Sequence, residues 1–300
     1  MSAFSKELRS FLVVSQSESI RDAANRLNIS APALSRQMQI LERSYGVPLL
    51  VRSTSGVALT KEGESLRKQA MTWLSEDADL NQSIRRPDQA PGLRVRLGIM
   101  EGLVDPLVPR LISHLEGKFE RVELELVVGS TVTLLEKADE MEIDLIVAYN
   151  MPRLSRLIIY ETLEFHLGVC FSPDLGLSGE GPIEMQDALK WPLCLPSSAL
   201  SMHTRLIAEI LSVRVNPKVA ISTNSINAIL SMVRAGQGIT FLPWIDVSRE
   251  IEAGRLAFRP LASRRLTETL SLAVCRGNRL GDMTGKVLSE VETLVRKLGR

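Results

Sequence analysis

Residues 19–43, SIRDAANRLNISAPALSRQMQILER, constrain this chain more than any other stretch. Apolar residues at helical spacing on both sides of a short break read as two short amphipathic helices joined by a tight turn. Ser19 is placed to cap the first, over about 20–27, because its hydroxyl can accept from backbone N–H groups that otherwise lack partners. Ala23, Ala24 and Leu27 supply an inward face that allows close helix approach. Asn28, Ile29 and Ser30 make the turn, with Ile29 as a buried plug and Ser30 as the next cap. Pro32 falls in the first turn of the second helix, where a missing N–H does little harm. Leu34, Met38 and Leu41 form the buried stripe, so Pro32, Ser35, Arg36 and Gln39 lie on the opposite side.

That outer face points to a chemistry. Solvent faces of ordinary helices are rich in Glu and Lys, and this one has neither. A helix can enter the DNA major groove, where Arg pairs with guanine, Gln with adenine, and Ser with phosphate or either base edge. The residues expected against DNA are Ser30, Ala31, Pro32, Ser35, Arg36 and Gln39. The alternative, two surface helices of a larger core, leaves this composition unexplained. Leu8, Phe11 and Leu12 form the apolar side of a further helix that would close a three-helix core. Downstream, two short apolar runs around Ser-Thr-Ser-Gly read as a hairpin, the wing of a winged helix. Arg52, Ser53, Thr54 and Ser55 on it suit phosphate or minor-groove contacts, which position more than they specify.

The runs LRSFLVVSQSESIRDAANRL, ISAPALSRQMQILE, YGVPLLVR and GVALTKEG resemble the N-terminal domain of LysR-type transcriptional regulators over about the first 65 residues. Leu50 departs from the family, which usually has phenylalanine there, and a repacked wing base is expected. Residues 1–60 carry seven basic side chains against four acidic ones, within a chain of net charge +1. That asymmetry fits a DNA-binding head on a neutral body, with affinity that falls steeply with salt.

A chain of 300 residues suits two or three domains, and 45% hydrophobic residues give ample core. No run is long and apolar enough to cross a bilayer, and MSAFSKELRSF lacks a basic-then-apolar signal pattern, so no membrane partner and a cytoplasmic location are expected. Residues 60–87 read as one helix of about 26 residues, roughly 39 Å long. Thr60 can cap it, and Glu62 and Glu64 suit its first turns. Leu66, Ala70, Trp73, Asp77, Leu80 and Ile84 form a heptad seam with one polar interruption. Pro87 stops the helix and 88–92 reads as a hinge. The period favours pairing with a second copy over packing on its own body, and it resembles the linker helix through which LysR-type regulators dimerise. Two-fold proteins read half-sites about 34 Å, or a multiple of that, apart.

From Leu93 onward strands alternate with helices, which argues an α/β fold with mostly parallel strands. Strands are expected over 94–99, 122–128, 143–148, 167–171, 193–195, 218–221, 239–242 and 270–275. Helices are expected over 104–119, 131–140, 184–190, 199–212, 225–235 and 282–298. EIDLIVAY and STNSINAILSMVRAGQGITFLP match the LysR family well. Gly236 and Gly238 follow a helix and precede a strand, the wrong order for a Rossmann phosphate loop. The resemblance implies a two-lobed effector-binding domain similar to type 2 periplasmic solute-binding proteins, with crossovers near 162–165 and 263–268. The expected organisation is a winged helix-turn-helix over 1–60, a linker helix and hinge over 61–91, and an effector domain over 92–300. Within that domain, lobe one takes 92–163 and 267–300, and lobe two takes 164–266.

Ligands of open α/β sheets bind beyond strand C-termini, where helix N-termini favour anions. Four such loops carry hydroxyls or small polar groups: Met100, Glu101 and Gly102; Ser130, Thr131 and Thr133; Ser197 and Ser198; and Thr223, Asn224 and Ser225. Each residue alone suits an ordinary cap; together they suggest a small anionic or polar effector, and His203 lies close enough in sequence to join them. Glu101 instead suits an ammonium or hydroxyl, and the two readings stay open. Cys170, Cys194 and Cys275 sit in apolar strand runs and read as buried and reduced, although the resemblance admits a peroxide-sensing pair. No catalytic triad, paired catalytic carboxylates, metal cluster or cofactor motif can be assembled, so a non-enzyme without cofactor or metal is expected. The reading is a homo-oligomeric regulator, dimer or tetramer, binding double-stranded DNA and a small effector, with RNA polymerase a further partner the resemblance admits. The rival, a solute-binding protein of a transport system, has no use for residues 1–65.

Overall fold

The computed structural model describes residues 5–53, 56–85, 93–119, 122–177, 179, 181–198, 200–275 and 282–299. The chain divides into two units, Met1–Pro91 and Gly92–Arg300. In the first, α1 (Lys6–Val14), α2 (Ile20–Arg26) and α3 (Ala31–Tyr45) each begin on a serine. The hydroxyls of Ser5, Ser19 and Ser30 accept the N–H groups of Leu8, Asp22 and Ala33 at 3.2, 3.1 and 3.4 Å, satisfying donors that the helix leaves unpaired. Phe11, Ala23, Ala24, Leu34, Met38 and Leu41 are buried in one core, with Ile29 half-buried against it. Asn28 takes a left-handed backbone (φ 53) in the turn.

The wing is β1 (Leu50–Ser53) antiparallel to β2 (Gly56–Leu59), with Leu50 opposite Leu59. Leu50 is buried, so the position demands an apolar residue and leucine satisfies it. Thr54, Ser55 and the side chains of Arg52 and Ser53 lie outside the described residues. Glu42 on α3 accepts the N–H groups of Leu49 and Leu50 at 2.9 and 3.1 Å and so fixes the approach to the wing.

Helix α4 (Lys61–Arg85) is capped by Thr60, whose hydroxyl accepts from the Gly63 N–H at 2.9 Å and donates to the Pro48 carbonyl at 2.8 Å. The expected intermolecular seam is corrected over its first half. Leu66 and Ala70 are buried in this unit's own core, and Trp73 and Leu74 pack against it, because the wing and α1 present apolar surface to that face. The side chains of Leu80 and Ile84, and the 88–92 hinge, lie outside the described residues.

The second unit begins with β3 (Leu93–Ile99), α5 (Glu101–Glu116), β4 (Val122–Val128), α6 (Thr131–Asp139) and β5 (Leu145–Tyr149). Strand β3 pairs in parallel with β4 and β5. A 15-residue strand, β6 (Leu157–Phe171), follows. Next come α7 (Met185–Ala188), β7 (Leu193–Pro196), α8 (His203–Ser212), β8 (Val219–Thr223), α9 (Ile226–Arg234) and β9 (Thr240–Pro243). The chain ends with α10 (Trp244–Glu252), β10 (Ala257–Pro260), β11 (Thr267–Cys275) and α11 (Asp282–Leu298). Leu157–His166 of β6 pairs antiparallel with β11, whereas Leu167–Phe171 pairs with β9 and β10. The change of partner at His166/Leu167 is where the chain passes between two lobes, each with its own apolar core.

The sequence pattern misses the first half of β6, β10 and α10, and places the start of α5 three residues late. Ile158, Ile159 and Tyr160 of β6 are exposed and Glu161 pairs with Arg296, so no inward alternation marks the strand. Pro243 ends β9 as expected and also serves as the N-cap of α10. Residues 101–103, expected as a loop, are the first turn of α5, which places Pro106 and Pro109 inside that helix. After α9, Gly236 (φ 70) turns the chain, and a Cβ on Gly238 (φ 156) would collide with the Pro192 carbonyl.

A Gly-to-Ala change inside a helix ordinarily stabilises by about 1 kcal/mol. At Gly63 a Cβ would run into the Leu49 carbonyl oxygen, so the sign reverses. Gly63→Ala is expected to destabilise the first unit by about 1–3 kcal/mol, read as an earlier thermal transition and weakened DNA binding.

Candidate functional site

A cavity of about 440 Å³ lies between the two lobes of the second unit. Its polar lining comes from Glu101 and Gly102 at the start of α5, Ser130 and Thr133 at the start of α6, and Tyr149 at the end of β5. Lobe two contributes Ser201, Asn224, Ser225 and Asp246, and Glu268 comes from β11. Met100, Val128, Leu200, Met202, Ile226 and Pro243 supply the apolar lining.

Glu101 is the main cross-lobe contact. Its carboxylate accepts the Ile226 N–H at 2.6 Å, the Ser225 hydroxyl at 2.9 Å, and the Asn227 side-chain amide and backbone N–H at 3.0 and 3.4 Å. The unpaired N–H groups and positive dipole end of α9 are thus closed by a carboxylate from the other lobe.

Two further contacts cross beside it. The Tyr149 hydroxyl donates to Asp246 Oδ1 at 2.6 Å. Glu268 accepts from Asn150 Nδ2 at 2.6 Å and from Arg205 of α8 at 2.9 Å, and the Asn150 amide also reaches the Ser201 hydroxyl at 3.2 Å. Burial pushes the Asp246 carboxyl up to about 7; the Tyr149 hydrogen bond opposes the shift and the nearby Glu268 charge adds to it. Burial likewise raises Glu268, against Arg205 and its hydrogen-bond donors. A Cβ on Gly102 would stand 2.8 Å from the Asp246 carboxylate, so only glycine permits this approach.

The structure brings together Met100, Glu101, Gly102, Ser130, Thr133, Asn224 and Ser225 from the expected set. The others do not line the cavity. Thr131 is buried and gives its hydroxyl to the Tyr149 carbonyl at 2.7 Å. Ser197 gives its backbone N–H to the Thr223 carbonyl, which ties β7 to β8, and Thr223 Oγ1 accepts from the Ser225 N–H in a local turn. His203 Nδ1 is 2.8 Å from the Pro196 carbonyl and holds the strand end. Ser198 is exposed away from the cavity. Tyr149, Ser201, Asp246 and Glu268 escape the sequence reading; EIDLIVAY contains Tyr149, but nothing local marks Asp246 or Glu268 as neighbours.

In the first unit, Pro32, Arg36 and Gln39 are exposed on α3, Ser35 and Ala31 are half-buried, and the Ser30 hydroxyl serves as the cap. The exposed face is the one opposite Leu34, Met38 and Leu41.

Residues 5–64 match the model of the bacterial regulatory helix-turn-helix proteins of the lysR family, and residues 88–292 match the LysR substrate binding domain. The chain belongs to the LysR family of transcriptional regulators. Among curated relatives of this LysR-family regulator is the HTH-type transcriptional regulator BbuR of Bordetella bronchiseptica. It is 25% identical over 294 residues, covering 97% of this chain and 90% of that protein. A full-length OxyR point mutant from Pseudomonas aeruginosa shares the fold at a TM-score of 0.64 and 22% identity, covering 97% of this chain and 93% of that one. Full-length CbnR complexed with its target DNA does so at 0.57 and 19%, covering 98% and 99%. This regulator therefore joins a DNA-binding helix-turn-helix to an effector-binding domain. Cys170, Cys194 and Cys275 are buried and none is in a disulfide; burial pushes the Cys170 thiol up to about 12. Among the described residues no helix is long and apolar enough to cross a membrane.

A carboxyl raised on folding binds its proton more tightly in the native state. Its contribution is complete below the unfolded value near 3.8 and is lost as pH rises through about 7. Asp246→Asn removes that dependence. From about pH 5 to about pH 8, thermal melts should show the variant gaining on the parent by up to about 2.5 kcal/mol, less the screening by solvent in the cavity. A difference that does not change with pH would rule the shift out.

Proposed function

We propose that effector occupancy of the interlobe cavity controls DNA binding, and that α3 enters the major groove with Arg36 and Gln39 toward base edges. Ser30, Ala31, Pro32 and Ser35 fall at the same helix start, where small side chains permit close approach. Arg52, Ser53, Thr54 and Ser55 of the wing are proposed as phosphate contacts. The observation that carries the effector reading is the closure of α9 by Glu101: it joins the two lobes across the cavity wall, so a ligand there bears directly on how they sit. A ligand shifts such an equilibrium only by its differential affinity for the two arrangements. An anion cannot take the α9 position without displacing Glu101, which favours the polar reading of the effector over the anionic one.

Two-fold operator symmetry calls for a homo-oligomer, and assembly as a dimer or tetramer is part of the proposal. Its cellular place follows from its target: a regulator of chromosomal DNA works in the cytoplasm. Its role is regulation without catalysis.

The test uses anisotropy and footprinting on DNA upstream of the neighbouring transcription unit. Arg36→Ala should weaken specific binding by about 1–3 kcal/mol while leaving non-specific binding nearly unchanged. Glu101→Gln should leave basal affinity within about twofold and change the footprint without effector, since the α9 closure is weakened. An unaltered footprint in both variants would overturn the reading.

A further inference from the structure

The cavity has an unbalanced lining. Glu101, Asp246 and Glu268 all face it, and none of its described lining residues is a lysine, arginine or histidine. The charges are not equivalent. Glu101 is neutralised by the N-terminus of α9, and Glu268 is buried against Arg205 and the Asn150 amide. Asp246 has only the neutral Tyr149 hydroxyl, on Oδ1, and among the described residues no donor reaches Oδ2. A half-buried carboxylate that lines a cavity together with a second carboxylate, and has no cationic partner among the described residues, is a position for a cationic donor. The same cavity has apolar lining from Met100, Leu200, Met202 and Ile226.

We infer that the effector carries a protonated amine that seats against Asp246, with Glu268 behind it, and an apolar body that lies over Met100, Leu200, Met202 and Ile226. This rests on the cavity being the effector site. A carboxylate effector would meet Asp246 and Glu268 and find the α9 donors taken. A neutral alcohol could donate to Asp246 but would leave its charge uncompensated. An aliphatic ammonium ion stays protonated at neutral pH and supplies three donors, one for Oδ2 and others for the Glu268 side. The hydroxyls of Ser130 and Thr133, at the start of α6, also line the cavity and suit a further polar group on the ligand.

The experiment is calorimetry on the full-length protein with three isosteres: 2-phenylethylamine, 2-phenylethanol and 3-phenylpropionate, with tryptamine and agmatine as further amines. At least one amine should bind saturably, and 2-phenylethylamine about tenfold more tightly than its alcohol and carboxylate counterparts. Asp246→Asn should lose that preference, while Tyr149→Phe, which keeps the carboxylate, should retain it. Far-UV circular dichroism and a cooperative thermal transition report that both variants are folded. Equal or tighter binding of the carboxylate or alcohol, no binding of any amine at millimolar concentration, or an amine preference that survives Asp246→Asn would each overturn the inference. Thr133→Trp separates the two layers of the argument, because a bulky side chain on this exposed, cavity-lining position obstructs access. If the carboxylate binds and Thr133→Trp abolishes it, the amine assignment falls and the cavity reading stands. If amine binding survives Thr133→Trp, the cavity reading falls with it.

Discussion

A carboxylate from one lobe closing the N-terminus of a helix in the other is the contact on which the effector domain's arrangement depends. Four hydrogen bonds converge on Glu101 from Ser225, Ile226 and Asn227. Charge-assisted bonds of this kind are each worth more than neutral ones, and here they also satisfy donors that α9 cannot satisfy by itself. The same position in the fold would otherwise be an anion site. By filling it from within, the chain turns a feature that could hold an anion into a lobe-closing one, and leaves Tyr149, Asp246 and Glu268 among the polar groups that line the cavity.

The DNA-binding unit is held by a comparably small set of polar contacts. Glu42 holds the start of the wing through the Leu49 and Leu50 N–H groups, and Thr60 links the end of the wing to the first turn of α4. Gly63 lets α4 lie against the Leu49 carbonyl at that junction. The apolar stripe of α3 is buried in the core, which leaves Arg36 and Gln39 outward on a rigid element. A recognition helix needs that rigidity, since side chains that read base edges must be aimed before contact.

How much of this is legible in the sequence follows from the range of the interactions. Helix caps at Ser19, Ser30 and Thr60, the stripe of Leu34, Met38 and Leu41, and the turn at Gly236 and Gly238 are written within a few residues of where they act, and the structure shows each in its expected place. Polar loop residues are a weaker guide. Thr131, Ser197, His203 and Thr223 have the right chemistry for a ligand, yet each satisfies a backbone group within its own lobe. What the pattern cannot supply is long-range: Tyr149 meets Asp246 and Asn150 meets Glu268 across 97 and 118 residues, through lobes that the chain crosses twice. Seam residues on α4 show the converse error. A heptad period states only that one face is apolar, and Leu66 and Ala70 bury that face in their own domain.

The cross-lobe contacts also bound what an effector can do. Net contributions of about 1 kcal/mol for a neutral hydrogen bond and about 1.5–3 kcal/mol for one to a charged group place the Glu101, Tyr149 and Asn150 contacts together at several kcal/mol. Coupling between sites in allosteric proteins is about 1–3 kcal/mol, less than that total. An effector therefore has no need to break the whole set. On the effector assignment proposed above, a cation that compensates Asp246, whose ionised form is disfavoured by burial and by Glu268, would act within that range. Asp246 is the carboxylate in the cavity that the protein leaves without a cationic partner or a helix N-terminus from the other lobe among the described residues, and for that reason the ligand's charge is proposed to sit there.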